Sequence, residues 1–402
     1  MDTLPVVRIR PQAQAESSLL NSLPPLALYV HVPWCVRKCP YCDFNSHQAP
    51  DTIPEADYLR ALQADLEQAL PLVWGRSIVS VFIGGGTPSL LSAAAVDELI
   101  SLIRAYLPLQ PYAEITLEAN PGTAEAAKFA AYGRSGVNRL SLGIQSFNDR
   151  ALVALGRVHD AQQAKAAIGF ALDAVERVNL DVMYALPQQR VEEALLDINT
   201  ALSFNTSHLS LYHLTLEPNT VFAKYPPPLP SDDESAAMQD ALIELTAEHG
   251  YEHYEVSAYA QAGHQAVHNT NYWEFGDYLG IGPGAHSKLS FHDRIVRQAR
   301  VRNPQRWMDQ ATARDGSHLA EDRTVDAQDL PFEFMLNALR LRHGVPATYF
   351  EERTGQPLTT ILPTIRQAIA KGLLDPHPTR IQASALGWRF LNDLQEMFLE
   401  VG

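Results

Sequence analysis

Six short apolar runs recur between residues 26 and 214, with helical patterns between them. The runs are 26–32 (LALYVHV), 77–83, 113–119 (AEITLEA), 138–144, 177–183 and 208–214. Residues 54–70 place Leu59, Leu62, Leu66 and Leu70 at helical spacing. The stretches 93–107, 124–135 and 191–204 also read as helices, with further helical pattern up to about residue 175. Short strands that are apolar throughout are covered on both faces, which predicts parallel strands joined by crossover helices. Six units are too few for a closed eight-unit barrel. The expected fold class is therefore α/β, an open partial barrel with its site at the carboxyl ends of the strands.

The cadence breaks at Pro226, Pro227, Pro228 and Pro230, which read as a linker. A helix over 233–249, a strand-like 251–260 (YEHYEVSAYA) and a glycine-rich, aromatic stretch over 268–286 extend the barrel. From about residue 325 the pattern turns helical, and 365–374, 379–383 and 388–398 read helix, strand, helix. That tail is expected to form a small, winged-helix-like packing domain. Residues 1–24, rich in Gln, Ser and Pro, read as a flexible leader. The organisation expected is a leader over 1–24, a core over 25–230, an extension over 231–320 and a mostly helical C-terminal domain over 321–402.

Net charge is −15, which argues against a duplex nucleic-acid binder. There is no apolar run long enough for a membrane span, and no signal-peptide pattern. With 46% hydrophobic and 19% charged residues, the chain can bury a sizeable core.

There are only three cysteines, Cys35, Cys39 and Cys42, and they follow the first strand directly. Three thiols this close cannot build a disulfide framework. They point to an inorganic centre and a reducing compartment, hence the cytoplasm. Iron–sulfur clusters are held by thiolates, usually four; three protein ligands leave one iron open. Zinc completed by His47 is the competing reading, and three unliganded core thiols the remaining one.

Polar residues collect at the predicted strand ends. Gly84, Gly85 and Gly86 with Thr87 follow the second strand, and glycines there let the backbone approach a ligand closely. Taken alone, they also fit a tight turn. Glu118 ends the third strand, Gln145 follows the fourth, Arg157 follows a short helix and Asp181 lies within the fifth. A strand-interior aspartate is rarely buried without a partner. The segment His268-Asn269-Thr270-Asn271-Tyr272-Trp273 offers an imidazole beside flat rings, suited to haem iron and porphyrin, although such a histidine is more often simply packed. His213, His286 and His47 are weaker candidates, with a structural role as the default.

The motif CxxxCxxC at the end of a first strand, with Tyr41 before its last cysteine, resembles the radical S-adenosylmethionine (SAM) superfamily. The likeness runs from about residue 26 to the C-terminus. It is carried by YVHVPWCVRKCPYCDFNSH, FIGGGTPSLL, EANPGT, GVNRLSLGIQSF, LGRVH and HNTNYW, and narrows to the anaerobic coproporphyrinogen oxidase-like branch, nearest its haem chaperones. The resemblance implies a radical SAM barrel with a 4Fe–4S cluster on the three cysteines. SAM then binds the open iron and is cleaved by one electron to methionine and a 5′-deoxyadenosyl radical. It also implies that Gly85 and Thr87 belong to the loop binding the SAM amine, that Tyr29 borders SAM, and that Glu118, Gln145, Arg157 and Asp181 contact it. Arg157 would pair with the methionine carboxylate, and HNxxYW implies haem contact at His268, with Tyr272 and Trp273 beside it.

Two functions follow from the resemblance. One is a haem chaperone that carries haem to acceptor proteins, membrane-bound respiratory enzymes being candidates, with an electron donor and a homodimer. The alternative is an oxygen-independent coproporphyrinogen III dehydrogenase. The oxidase motif has a further cysteine where this chain has Phe44, and HNxxYW belongs to the chaperone side, so the chaperone is favoured.

Overall fold

The computed structural model describes residues 20–122 and 125–399. The first 19 residues of the expected leader lie outside the described residues. Its last five are attached to the fold: Leu20 is buried and its N–H donates to the His292 carbonyl at 3.2 Å, while the Pro24 carbonyl accepts from Arg76.

Six strands run parallel in chain order: β1 (Leu26–Val32), β2 (Ile78–Gly85), β3 (Leu109–Ala119), β4 (Arg139–Gln145), β5 (Arg177–Tyr184) and β6 (His208–His213). Helices α1 (Glu55–Val73), α2 (Ala93–Tyr106), α3 (Glu125–Ser135), α4 (Ala161–Ala174) and α5 (Val191–Leu202) supply the crossovers. Their starts are set by short polar side chains: Ser92 caps α2, and Asp160 closes a capping box on α4. Alternation within each strand then sorts the faces. Leu26, Leu28, Val30 and Val32 of β1 join the helix-facing core, which leaves Tyr29 and His31 for the other face.

The sheet does not stop at six strands. After α6 (Asp232–Glu248), the strand-like segment folds into two antiparallel strands, β7 (Glu252–Glu255) and β8 (Ala258–Ala260), that extend the sheet beyond β6. The HNTNYW segment forms a short helix, α7 (Val267–Trp273). Strand β9 (Asp277–Ile281) then pairs in parallel with the free edge of β1, with Tyr29 opposite Gly280. Antiparallel β10 (His286–Ser290), β11 (Ile295–Arg300) and β12 (Leu319–Thr324) continue outward, α8 (Pro304–Ala313) lying between the last two. The result is a 12-stranded sheet, seven of its strands parallel.

Two buried ionic clusters fasten the late strands to the barrel. Asp65 of α1 takes Arg300 and His318 at 3.3 Å each, the Trp307 indole N–H and the Gly282 backbone N–H. Asp277 takes Lys288 at 3.1 Å and Arg76 at 2.7 Å. Opposed cations keep both carboxyls below the usual carboxylate range despite burial.

The C-terminal part is mostly helical, with a two-residue ladder between Val345–Pro346 and Arg380–Ile381. Its helices lie close to the predicted positions. Phe334, Phe350, Leu374 and Leu394 share one core with Tyr254 and Phe275 of the barrel extension, so the tail packs directly on the extension.

Candidate functional site

A cavity of about 520 Å³ opens at the carboxyl ends of the parallel strands. All three cysteines line it, each half-buried and with a free thiol. The loop carrying them is shaped by its backbone. Trp34–Cys35 pairs in parallel with His47–Gln48, the Cys42 N–H donates to the Cys39 carbonyl at 3.2 Å, and the Ala49 N–H donates to the Cys35 carbonyl at 2.8 Å. Burial pushes the Cys35 and Cys42 thiols up.

Gly85 and Gly86 are required for this loop as much as for any ligand. A Cβ on Gly85, at φ +115°, would meet the His31 ring at 2.6 Å, and one on Gly86 would meet the Trp34 carbonyl oxygen at 2.6 Å. The Thr87 N–H donates to that same Trp34 oxygen at 2.7 Å. The strand-end turn therefore backs directly onto the chain leading into Cys35.

A chain of hydrogen bonds runs between two of the thiols. Thr87 Oγ1 donates to Cys35 Sγ at 3.4 Å and accepts from Asn120 Nδ2 at 2.9 Å. Arg157 bonds the other end of the Asn120 amide, donates to the Gly143 carbonyl at 2.8 Å, and reaches Cys39 Sγ at 3.6 Å. Donors aimed at sulfur suit thiolates, which carry the negative charge of a metal-bound cysteine.

Carboxylates occupy the cavity interior. Glu118 Oε2 accepts the Gly85 N–H at 3.0 Å. Burial, with the Asp181 charge nearby, pushes its carboxyl up to about 8. Burial pushes Asp181 up to about 6, against hydrogen bonds from Asn179 at 2.8 Å and Ser141 at 3.2 Å. Asn179 in turn accepts from His208 and Ser210. Gln145 lines the cavity in the left-handed region at φ +67°, a conformation costing about 1 kcal/mol or more for a non-glycine residue.

The structure thus brings Cys35, Cys39, Cys42, Gly85, Thr87, Glu118, Gln145, Arg157 and Asp181 to one cavity. Tyr29 does not reach its wall. Its hydroxyl bonds His31 Nδ1 at 2.9 Å, and its ring stacks on Phe82, which does line the cavity.

His268 does not line this cavity either. Its ring is buried, with Nδ1 on Ser80 Oγ at 3.0 Å and Nε2 on Tyr272 Oη at 3.2 Å. Its backbone N–H donates to Glu114 at 3.1 Å, and burial pushes its pKa down to about 3. Tyr272 lies edge-on to Tyr278, and Trp273 packs under the Arg340 guanidinium. Helix α7 contributes only Asn269 to the cavity lining.

Of the weaker histidines, His47 bonds Asn45 and His286 stands exposed away from the cavity, whereas His213 lines it. Asn120, Arg139, Asn179 and Ser210 also line it and were not singled out from the sequence. Among the described residues, no three His, Cys, Asp or Glu side chains could hold a single metal ion.

A parallel partial barrel with a three-cysteine loop over its strand ends defines a radical SAM-type protein. The radical SAM superfamily matches residues 29–199, and the HemN C-terminal domain matches residues 325–390. The chain is 48% identical to heme chaperone HemW of Escherichia coli, over 94% of this chain and 99% of that one. It is 32% identical to heme chaperone HemW of Bacillus subtilis, over 92% and 98%. In fold it is similar to coproporphyrinogen III oxidase HemN of E. coli, with a TM-score of 0.79 at 22% identity, covering 94% of this chain and 90% of that one. The chain belongs to the HemW family of radical SAM proteins.

Proposed function

We propose that this chain is a haem chaperone, binding haem and handing it to acceptor proteins, and that it carries a 4Fe–4S cluster and a SAM site. The observation that carries the reading is its near end-to-end identity with HemW proteins. The three thiols fit the cluster, because they share one cavity wall and two of them already accept hydrogen bonds. When bound, such a cluster supplies a one-electron centre with an open iron. Cys35, Cys39 and Cys42 would hold it, and Thr87 and Arg157 would donate to its sulfurs. Glu118 and Asp181 would accept hydrogen bonds from the hydroxyls and ammonium of SAM, and Arg157 would balance its carboxylate.

The remaining parts of the proposal are cytoplasmic placement, an external electron donor, a homodimer, and acceptors that include membrane-bound respiratory enzymes. No described helix is long and apolar enough to cross a membrane. The dehydrogenase alternative draws on fold likeness alone. Phe44, at the position of the oxidase's additional cysteine, is an exposed phenyl ring.

The test is anaerobic reconstitution with iron and sulfide, followed by titration with haem and with SAM. The chain should gain visible cluster absorption and bind both, Cys39→Ser should lack the absorption, and coproporphyrinogen III should not be consumed. Cluster absorption persisting in Cys39→Ser would remove this ligand set; absence of haem uptake would remove the chaperone reading.

A further inference from the structure

Residues 35–48, which carry the three thiols, hold Arg37 and Lys38 against a single carboxylate, Asp43, in a chain whose net charge is −15. Both cations are exposed and stand between the first two cysteines. Lys38 Nζ donates to the Phe44 carbonyl at 3.1 Å, across the loop. The next residue, Asn45, donates its amide to the Arg302 carbonyl at 2.9 Å, which brings a third exposed cation beside the loop. His47 feels two of these charges at once: burial pushes its ring below the usual range, and Lys38 and Arg302 add to that. Among the described residues, none of the three cations meets a carboxylate at ion-pair distance.

The position of this patch matters more than its size. Electron transfer falls steeply with distance, so a one-electron donor has to dock against the loop that holds the acceptor. The chain's net negative charge repels an acidic protein as a whole, and local cations then decide where such a protein can settle. Val36 and Phe44, 55% and 61% exposed, stand on the same loop. An apolar centre with a charged rim is the make-up of a transient interface, and redox encounters are among the smallest of these.

We infer that Arg37, Lys38 and Arg302, with Val36 and Phe44 between them, form the docking surface for an acidic one-electron carrier protein. This rests on the cluster reading above. The carrier is oxidised by one electron, the cluster bound on Cys35, Cys39 and Cys42 is reduced by one, and no bond is made or broken. The cations act on the encounter: they raise the rate at which an acidic carrier arrives and fix its orientation over the thiols.

The test reduces the reconstituted full chain with flavodoxin hydroquinone, an acidic FMN protein, and follows bleaching of the cluster absorption by stopped flow. The wild-type chain is compared with Arg37→Glu/Lys38→Glu, with Arg302→Glu, and with Arg366→Glu, an exposed cation of the C-terminal part. At low salt the double variant should react about tenfold more slowly or worse, the lower end of what electrostatic steering supplies. Its rate should also depend less on salt. Arg302→Glu should slow in the same direction, and Arg366→Glu should keep the wild-type rate. Dithionite, which needs no docking surface, should bleach every variant to the same extent. The inference is overturned if the double variant and Arg302→Glu both react at the wild-type rate. It is also overturned if Arg366→Glu slows as much as Arg302→Glu, since the two change net charge equally. Unchanged reduction with slowed transfer of haem to an acceptor would give the patch to the acceptor and overturn the inference too. Should the double variant take up no cluster, Arg302→Glu, outside the loop, decides. A wild-type cluster that dithionite reduces and flavodoxin does not overturns the inference alone, whereas a wild-type chain that takes up no cluster overturns the reading beneath it.

Discussion

Arg157 holds one guanidinium nitrogen 3.6 Å from the Cys39 sulfur, while another donates to the Gly143 carbonyl. The fork thereby ties the cysteine loop to the end of β4. Arg157→Lys keeps the charge but cannot serve Cys39, Asn120 and Gly143 together. It should lower the stability of the cluster-free chain by about 1–3 kcal/mol, the range for charge-assisted bonds lost from a shielded site. Urea unfolding measures this. An unchanged midpoint would mean that the guanidinium waits for a ligand instead of organising the loop.

Glu118 and the buried histidines impose opposite pH dependences. With its carboxyl at about 8, Glu118 holds a proton in the folded chain that the unfolded chain releases above its ordinary value of about 4. Its contribution to stability therefore falls as pH rises from about 4 to about 8. His31 and His159 at about 4, and His268 at about 3, stay neutral when folded but take protons when unfolded below about 6.5, so they favour folding as pH rises to that value. The cluster-free chain should be most stable near neutrality and weaken from about pH 6.5 to 8. Glu118→Gln should flatten that upper limb in urea midpoints measured across the range. An equally steep limb in the variant would assign the slope to other groups.

Asp65 joins α1 to β11 and α8 from the centre of a cluster in which Arg300, His318 and Trp307 all converge on one carboxylate. Asp65→Ala leaves a buried guanidinium unpaired, a change that costs about 3–5 kcal/mol. Denaturant unfolding should show that loss. A cost below about 1 kcal/mol would mean that Arg300 finds water or another partner.

The barrel was legible because each parallel strand is an apolar run followed by a helical period, and both periodicities survive in the sequence. Strand β9 was not legible, since DYLGI has no crossover helix after it and its buried Asp277 breaks the apolar pattern. Glu118 and Asp181 stood out as carboxylates in otherwise apolar strands. Asn120 lay two residues beyond Glu118 but carried no charge to mark it. Motif position locates Tyr29 and His268 in the chain but does not reveal which layer of the barrel a side chain enters. Tyr29 stops behind Phe82, and His268 turns into Ser80 because its segment coils into a helix.

Asn45, three residues past the last cysteine, donates to the carbonyls of Pro283 and Arg302, both at 2.9 Å. These partners lie 238 and 257 residues further along the chain. Contacts of such high contact order form late, after most of the polypeptide has left the ribosome. The nascent cysteine loop thus emerges long before its clamp exists. A chain truncated before residue 283 should therefore present the three thiols without the scaffold that aims them.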